Sequence, residues 1–240
     1  MRLALTVKAV VFDFGSTLIL DDGFDYFGSL RRAQRVLENG GIAPSFEEFK
    51  PGYLKVRERL WNDPELREYS YNYRLAEALK LYGYTLPESD KRIQEATDVF
   101  SHALINSLYM EDHVPTLLEQ LHSRYKLAVV SNLGIPEVLP ITLDKFDIKK
   151  YFDVILASGT VGYRKPSPII FEEALKALGT LPRETAFVGD SLYHDVQGAK
   201  AVGMKTVWLK RKTSSKEKTM AIPNKTIQDL TELPKIIETL

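Results

Sequence analysis

The sequence predicts an α/β protein, a doubly wound parallel sheet with an inserted helical domain. Three observations point there. Short β-branched runs alternate with helical patterns through the second half of the chain. One such run stands alone near the start. The long block that follows it shows only helical periodicity.

The first run, "VKAVVFD" over residues 7–13, is too short for a helix and is bounded by Gly15, so it reads as a fully buried strand. Between about Leu18 and Leu108 no strand is expected. Phe24, Phe27, Leu30, Ala33 and Leu37 make one helical stripe, closed by Gly40 and Gly41. "SFEE" offers a capping box, with Ser45 as cap and Glu48 three residues on. "NDPELREY" places Pro64 just inside a helix start, and Tyr73, Ala76, Leu79 and Tyr82 continue a stripe to Gly83. Ile93, Phe100, Leu104 and Leu108 line the last helix of the block. The expected division is a helical domain over 18–108 and an α/β core made of 1–17 and 109–240.

Four more strands are expected: "YKLAVVS" to Ser131, "FDVILAS" to Ser158, "TAFVGD" to Asp190 and "KTVWLK" to Lys210. Helices separate them. "PTLLEQLHSRY" puts Leu117, Leu118 and Leu121 on one face; "PIIFEEALKALG" gathers Ile170, Phe171, Ala174, Leu175 and Leu178 before Gly179. "HDVQGAKAVG" ends on Gly203, a suitable residue just past a helix. "KRKTSSKEK", 210–218, reads as a solvated loop, and "IQDLTELPKII" as a short strand-like turn followed by a helix.

Composition narrows the function classes. Basic and acidic residues both number 32 in 240, for a formal charge of +0. A nucleic-acid footprint or a membrane-adsorbing surface needs an excess of cationic side chains, so neither partner is expected. Cysteine is absent, which excludes disulfides, thiolate catalysis and Cys-ligated zinc, and suits a cytoplasmic protein. No apolar run reaches the roughly 18 residues of a spanning helix. The opening "MRLALTVKAVVFDF" carries no cleavage-site pattern, so no leader is expected.

In an open parallel sheet, ligands gather at the carboxyl ends of the strands. The first strand ends on Asp13, the second on Ser131 and Asn132, and the fourth on Gly189, Asp190 and Ser191 with Asp195 beyond. Lys165 stands before Pro166 in "GYRKPSP". Each has an ordinary reading. Asp13 can end a strand, Ser131 and Asn132 can form a turn with Gly134, Lys165 can lie on the surface, and Asp190 can cap a helix. Together, in this order and at one edge, they point to a site built of acids, a hydroxyl and an ammonium.

On these residues the chain resembles the haloacid dehalogenase (HAD) superfamily of hydrolases over essentially its full length. The first motif of that family, D-x-D-x-T, matches "DFGST" at Asp13 and Thr17. The second is Ser131, the third Lys165 of "RKPSPIIF", and the fourth "GDSLYHD" with Asp190 and Asp195. The resemblance implies a Rossmann-like core in strand order 5-4-1-2-3 and a helical cap between the first two motifs. It implies Mg²⁺-dependent hydrolysis of a small phosphorylated substrate, with Asp13 as nucleophile assisted by Lys165. Asp13, Asp190 and the carbonyl of Gly15 would hold the metal. Ser131, Asn132, Lys165 and Ser16 would hold the phosphoryl group, with Asp195 and Thr17 supporting from behind.

The match departs from the family at Gly15. Most phosphatases of the family carry a second Asp there, which protonates the leaving group. Three readings follow. The protein is a phosphatase of restricted range, or one whose acid comes from Asp21, Asp22 or His194. It is a carbon-centred hydrolase of the dehalogenase or phosphonatase kind, the latter needing a lysine such as Lys50 or Lys55. Or it binds a phosphorylated ligand or a partner without turnover. Phosphoryl hydrolysis is the first choice. Tyr26, Arg31 and Arg57 are candidate substrate contacts, and nothing in the pattern fixes the oligomeric state.

Overall fold

The computed structural model describes residues 6–211 and 219–240. The loop expected over 210–218 therefore lies mostly outside the described residues. Strands run β1 (Ala9–Phe12), β2 (Leu20–Asp21), β3 (Leu108–Tyr109), β4 (Lys126–Ser131), β5 (Val154–Ala157), β6 (Thr185–Gly189), β7 (Lys205–Leu209) and β8 (Lys225–Ile227). Helices run α1 (Tyr26–Asn39), α2 (Phe46–Trp61), α3 (Tyr71–Lys80), α4 (Lys91–Ser107), α5 (Val114–His122), α6 (Val138–Lys145), α7 (Ser158–Val161), α8 (Pro168–Leu178), α9 (Gly198–Ala201) and α10 (Leu233–Ile237). Two compact units result: one extends to Asp21 and resumes at Tyr109, and the other is Asp22–Leu108.

The first unit is built on a parallel sheet in the order β5-β4-β1-β6-β7-β8. β1 is central, with Phe12 level with Val129 of β4 and Val188 of β6. Every residue of β1 is buried, as expected of a parallel strand covered on both faces. On one face Ala9, Val11, Ala128, Val130 and Phe187 pack against Ile170, Phe171, Ala174, Leu175 and Leu178 of α8. Removing this apolar surface from water is the main force holding the layers together.

Five of the strands follow the expected order 5-4-1-2-3, and β8 adds a sixth beside β7. Only a strand-like turn was expected there, because three residues with one buried side chain leave no periodicity to read. Pairing rests on the main chain, with Lys210 N–H donating to Ile227 O at 2.8 Å, and on Asn224 Oδ1, which accepts from Thr206 N–H at 3.0 Å. A second correction concerns β2 and β3. These two-residue strands form their own small sheet at the borders of the block where no strand was expected.

In the helical unit, α1 is capped by Asp25, which accepts from Gly28 N–H at 2.8 Å. Leu30, Ala33 and Leu37 are buried as expected, but Phe27 is 45% exposed, with Lys50 Nζ 4.4 Å from its ring. Phe24 and Tyr26 pack on Phe100 instead, with ring centroids at 5.5 and 5.4 Å. Ser45 and Glu48 meet at the start of α2, where Ser45 N–H and Oγ both donate to Glu48 Oε2 at 3.2 and 2.6 Å. The helix start expected at Pro64 is displaced to Tyr71. Asp63 draws the intervening segment into a turn, accepting from Glu65 N–H at 2.8 Å and from Tyr69 O–H at 2.6 Å. Such local side-chain bonds compete with helix formation. Ser70 caps α3 by accepting from Tyr73 N–H at 2.9 Å, and the residues buried there are Tyr71, Leu75, Ala76, Ala78 and Leu79, so Ala76 and Leu79 of the expected stripe face inward. Among the described residues, no helix is long and apolar enough to cross a membrane.

Candidate active site

Asp13 extends β1 by one residue, its N–H donating to Val188 O at 2.8 Å. Its carboxylate therefore emerges at the centre of the sheet's carboxyl edge. Lys165 meets it there. The Nζ of Lys165 lies 2.5 Å from Asp13 Oδ1, 2.7 Å from Asp195 Oδ1 and 3.0 Å from Val130 O. Three acceptors match the three hydrogens of an ammonium, which is why a lysine only 2% exposed can remain charged. Thr17 Oγ1 donates to the other oxygen of Asp13, Oδ2, at 3.1 Å.

Asp195 reaches the site from a π-helical turn, Leu192–Gln197, in which both Asp195 N–H and Val196 N–H donate to Ser191 O at 3.1 Å. Its Oδ2 accepts from Ser191 N–H at 3.0 Å. The approach requires Gly189: a Cβ there would lie 2.3 Å from Asp195 Oδ2. Asp190 is half-buried, and Trp208 Nε1 holds its main-chain carbonyl at 2.9 Å. One carboxylate oxygen from each of Asp13, Asp190 and Asp195 lies within 4.8 Å of the other two.

The crowding of acids has electrostatic consequences. Burial pushes Asp13 up to about 6, against the neighbouring Lys165 ammonium and with the help of the Asp195 charge. Burial, then repulsion from Asp13 and Asp195, pushes Asp190 up to about 7. For Lys165, burial favours loss of the proton, but the two carboxylates outweigh it and hold the ammonium above its ordinary value. Three carboxylates thus face one ammonium, and the fully ionised cluster carries an excess of two negative charges, all on oxygen donors. Such a donor set fits a hard divalent cation of the Mg²⁺ kind.

Other expected residues have different surroundings. Ser131 is buried at the end of β4, level with Ala157. Asn132 uses its amide on the main chain of Lys165, accepting from Lys165 N–H at 2.7 Å and donating to Lys165 O at 3.0 Å. Ser16 is exposed and left-handed (φ 59), with its N–H donating to Ile19 O at 2.8 Å. Gly15 is exposed, and a Cβ built on it would meet nothing within 4 Å. Asp21 and Asp22 are exposed, and Asp22 N–H donates to Ser107 O at 3.0 Å. His194 sits on the π-helical turn, its Nδ1 3.1 Å from Ser191 Oγ. Within the helical unit, Tyr26 O–H pairs with Tyr53 O–H at 2.8 Å, Arg57 stacks over Tyr26, and Arg31 pairs with Glu47 at 2.8 Å. Lys50 covers Phe27, and Lys55 is exposed. One residue of the stretch read as a solvated loop, Arg211, is instead partly buried and bonded. Arg211 donates to Ser16 O at 3.2 Å, Thr17 O at 3.1 Å and Glu111 Oε2 at 3.0 Å.

A strand-end carboxylate held by a buried ammonium, beside two further acids, stands at the carboxyl edge of the sheet, where ligands gather in open α/β folds. Residues 7–203 match the family model described as haloacid dehalogenase-like hydrolase, and the chain belongs to that family. It is similar to the glyceraldehyde 3-phosphate phosphatase of Pyrococcus abyssi, with 27% identity over 85% of this chain and 82% of that one. With the Pyrococcus furiosus protein of the same name the identity is 38% over 132 residues, and that match spans about half of the relative, 51%. Among solved structures, a HAD phosphatase from Thermococcus onnurineus superposes with a TM-score of 0.68 at 27% identity, covering 96% of this chain and 98% of that one. A 2-haloacid dehalogenase from Pseudomonas syringae gives 0.70 at 23% identity, covering 97% and 98%, and shows the shared fold.

Proposed function

We propose that the protein is a Mg²⁺-dependent phosphatase of small phosphorylated metabolites, working in the cytoplasm. The observation that carries this reading is the Lys165 ammonium bridging Asp13 and Asp195, with Asp190 completing the acidic cluster. The relatives named as glyceraldehyde 3-phosphate phosphatases support a small phosphate monoester as substrate.

In this reading an oxygen of Asp13 attacks phosphorus, the bond from phosphorus to the leaving oxygen breaks, and an aspartyl phosphate forms on Asp13. Water then attacks that phosphorus, releasing inorganic phosphate and restoring the carboxylate. Lys165 holds Asp13 in line and offsets charge on the phosphoryl oxygens. The Ser131 hydroxyl, Ser16, and the main-chain N–H groups of Phe14 and Asn132 complete the cradle. Asp195 fixes Lys165, and Thr17 fixes Asp13. Asp13, Asp190 and the Gly15 carbonyl would hold the metal, which supplies charge neutralisation for the phosphoryl group. Asn132 acts through the main chain of Lys165, because its side-chain oxygen is already taken.

The test is phosphate release from a panel of monoesters, with Mg²⁺ and with EDTA, beside halide release from 2-haloacids. Metal-dependent phosphate release that Asp13→Asn abolishes is the expected result. Metal-independent halide release, or retained activity in Asp13→Asn, overturns the reading.

A further inference from the structure

The loop after Asp13 closes on itself. Ser16 N–H donates to Ile19 O at 2.8 Å, and the N–H groups of Leu18 and Ile19 both donate to Phe14 O, at 3.0 and 2.9 Å. The carbonyls of Ser16 and Thr17 are served from elsewhere. Arg211, two residues beyond β7, donates Nε–H to Ser16 O and Nη2–H to both Thr17 O and Glu111 Oε2, over 3.0–3.2 Å. Thr17 then passes the connection on, since its hydroxyl holds Asp13 Oδ2 at 3.1 Å while Lys165 holds Oδ1 at 2.5 Å.

From this chain of contacts we infer that Arg211 is a positioning residue for the reacting carboxylate, acting through Thr17, with Glu111 fixing the plane of the guanidinium. The inference rests on the reading of Asp13 as the nucleophile. A carboxylate turns easily about its Cβ–Cγ bond; besides Lys165 at Oδ1 and the main-chain N–H of Phe14, it is held at Oδ2 by Thr17. That last bond adds to the orientation only if Thr17 is itself held. Ser16 makes the need sharper, because a non-glycine residue at φ 59 is a conformation the loop would otherwise tend to leave. A guanidinium presents several donors in one rigid plane and can bridge two carbonyls and a carboxylate together, whereas a lysine is a single point of charge.

The experiment compares Arg211→Ala, Arg211→Lys, Thr17→Val, Glu111→Gln and the Arg211→Ala/Thr17→Val double variant. Phosphate release and amide hydrogen exchange of residues 16–19 are both measured. Misplacing a nucleophile by an ångström costs about 10²-fold, so Arg211→Ala should lose about 10- to 100-fold in kcat with KM changed by no more than about threefold. Arg211→Lys should behave nearly as badly, and Glu111→Gln more mildly. The double variant should fall no further than the worse single one, because the two residues act in series. Added guanidinium ion at millimolar concentration should restore part of the turnover of Arg211→Ala and none of that of Thr17→Val. The amides of Ser16, Leu18 and Ile19 should exchange about tenfold faster in Arg211→Ala.

An unchanged kcat in a folded Arg211→Ala, additive losses in the double variant, or unchanged exchange each overturns the inference. A wild-type protein that releases no phosphate overturns the phosphatase reading instead, and the exchange rates then still decide whether Arg211 holds the loop.

Discussion

The side-chain amide of Asn132 brackets the main chain of Lys165, accepting from its N–H at 2.7 Å and donating to its carbonyl at 3.0 Å. Two segments 33 positions apart are thereby locked in register, and the ammonium of Lys165 is delivered to Asp13 from a fixed root. Replacing Asn132 by Ala leaves both main-chain groups without these partners in a partly buried place. A loss of about 1–3 kcal/mol in stability is expected from that desolvation. Asn132→Asp keeps an acceptor for the N–H but sets a carboxylate oxygen against the Lys165 carbonyl, so it should be at least as damaging. Urea unfolding and kcat measured on both variants check this. Turnover should fall with stability, and wild-type stability in Asn132→Ala would contradict the bracket.

Lys165 is the only counter-charge in the bonded trio it forms with Asp13 and Asp195. Lys165→Met leaves two buried carboxylates facing each other, and breaking a buried pair in this way costs about 3–5 kcal/mol. Asp13, no longer held down by the ammonium, would then keep its proton to higher pH. The stability deficit of the variant should therefore be largest near pH 8 and shrink toward pH 5, as read from Tm across that range. Phosphate release should be lost throughout.

How much of this was legible in the sequence depends on what each residue touches. The strands show themselves because β1, β4 and β6 bury nearly every side chain, so unbroken apolar runs are unavoidable. Asp13, Lys165 and Asp190 stand out because an ionisable residue at the end of such a run, or beside a proline-rich turn, is costly to place without a purpose. Asn132 gives no such signal, since an amide beside Ser131 suits a phosphate and a backbone equally well. Arg211 gives none either. Its partners at Ser16 and Thr17 are main-chain carbonyls nearly two hundred positions away, and any residue type supplies those. The displaced start of α3 has the same origin: Pro64 is a fair helix opener, and only the contact of Asp63 with Tyr69 decides against it.

The acids of the site bear on stability with a definite sign. Asp13, at about 6, and Asp190, at about 7, both lie above the ordinary 3.8. The folded protein therefore binds protons more tightly than the unfolded chain between about pH 4 and 7. Their contribution is fully present below about pH 4 and is lost as the pH rises through 6 and 7. The loss is on the order of a few kcal/mol, reduced by the partial exposure of Asp190. A divalent cation binds the ionised forms, so it should restore stability at pH 8 and have little effect at pH 5. Thermal melts in EDTA and in Mg²⁺ at both values test this, with Asp190→Asn as reference. That variant should lose most of the Mg²⁺ effect and melt higher than wild type in EDTA at pH 8. A Mg²⁺ shift equal at both pH values would exclude the cluster as the metal site.

Gly15 offers the sharpest test of the proton inventory. It stands two residues after Asp13, where the family resemblance places a general acid, and its exposed backbone carries no side chain. A general acid contributes about 10²–10⁴ in rate, and its absence matters most when the leaving oxygen is a poor one. The wild-type protein should therefore discriminate steeply in favour of aryl and acyl phosphates over alkyl phosphates. Gly15→Asp is sterically free, because a Cβ there meets nothing within 4 Å, and its main-chain φ is not in the left-handed range. The new carboxyl should raise kcat/KM for alkyl phosphates by at least about tenfold, leave aryl phosphates nearly unchanged, and so flatten the dependence of rate on leaving-group pKa. If the correctly folded variant keeps the wild-type slope, protonation of the leaving oxygen is already supplied by another group. His194 is then the residue to replace next, because it stands on the same π-helical turn as Asp195, which bonds Lys165 directly.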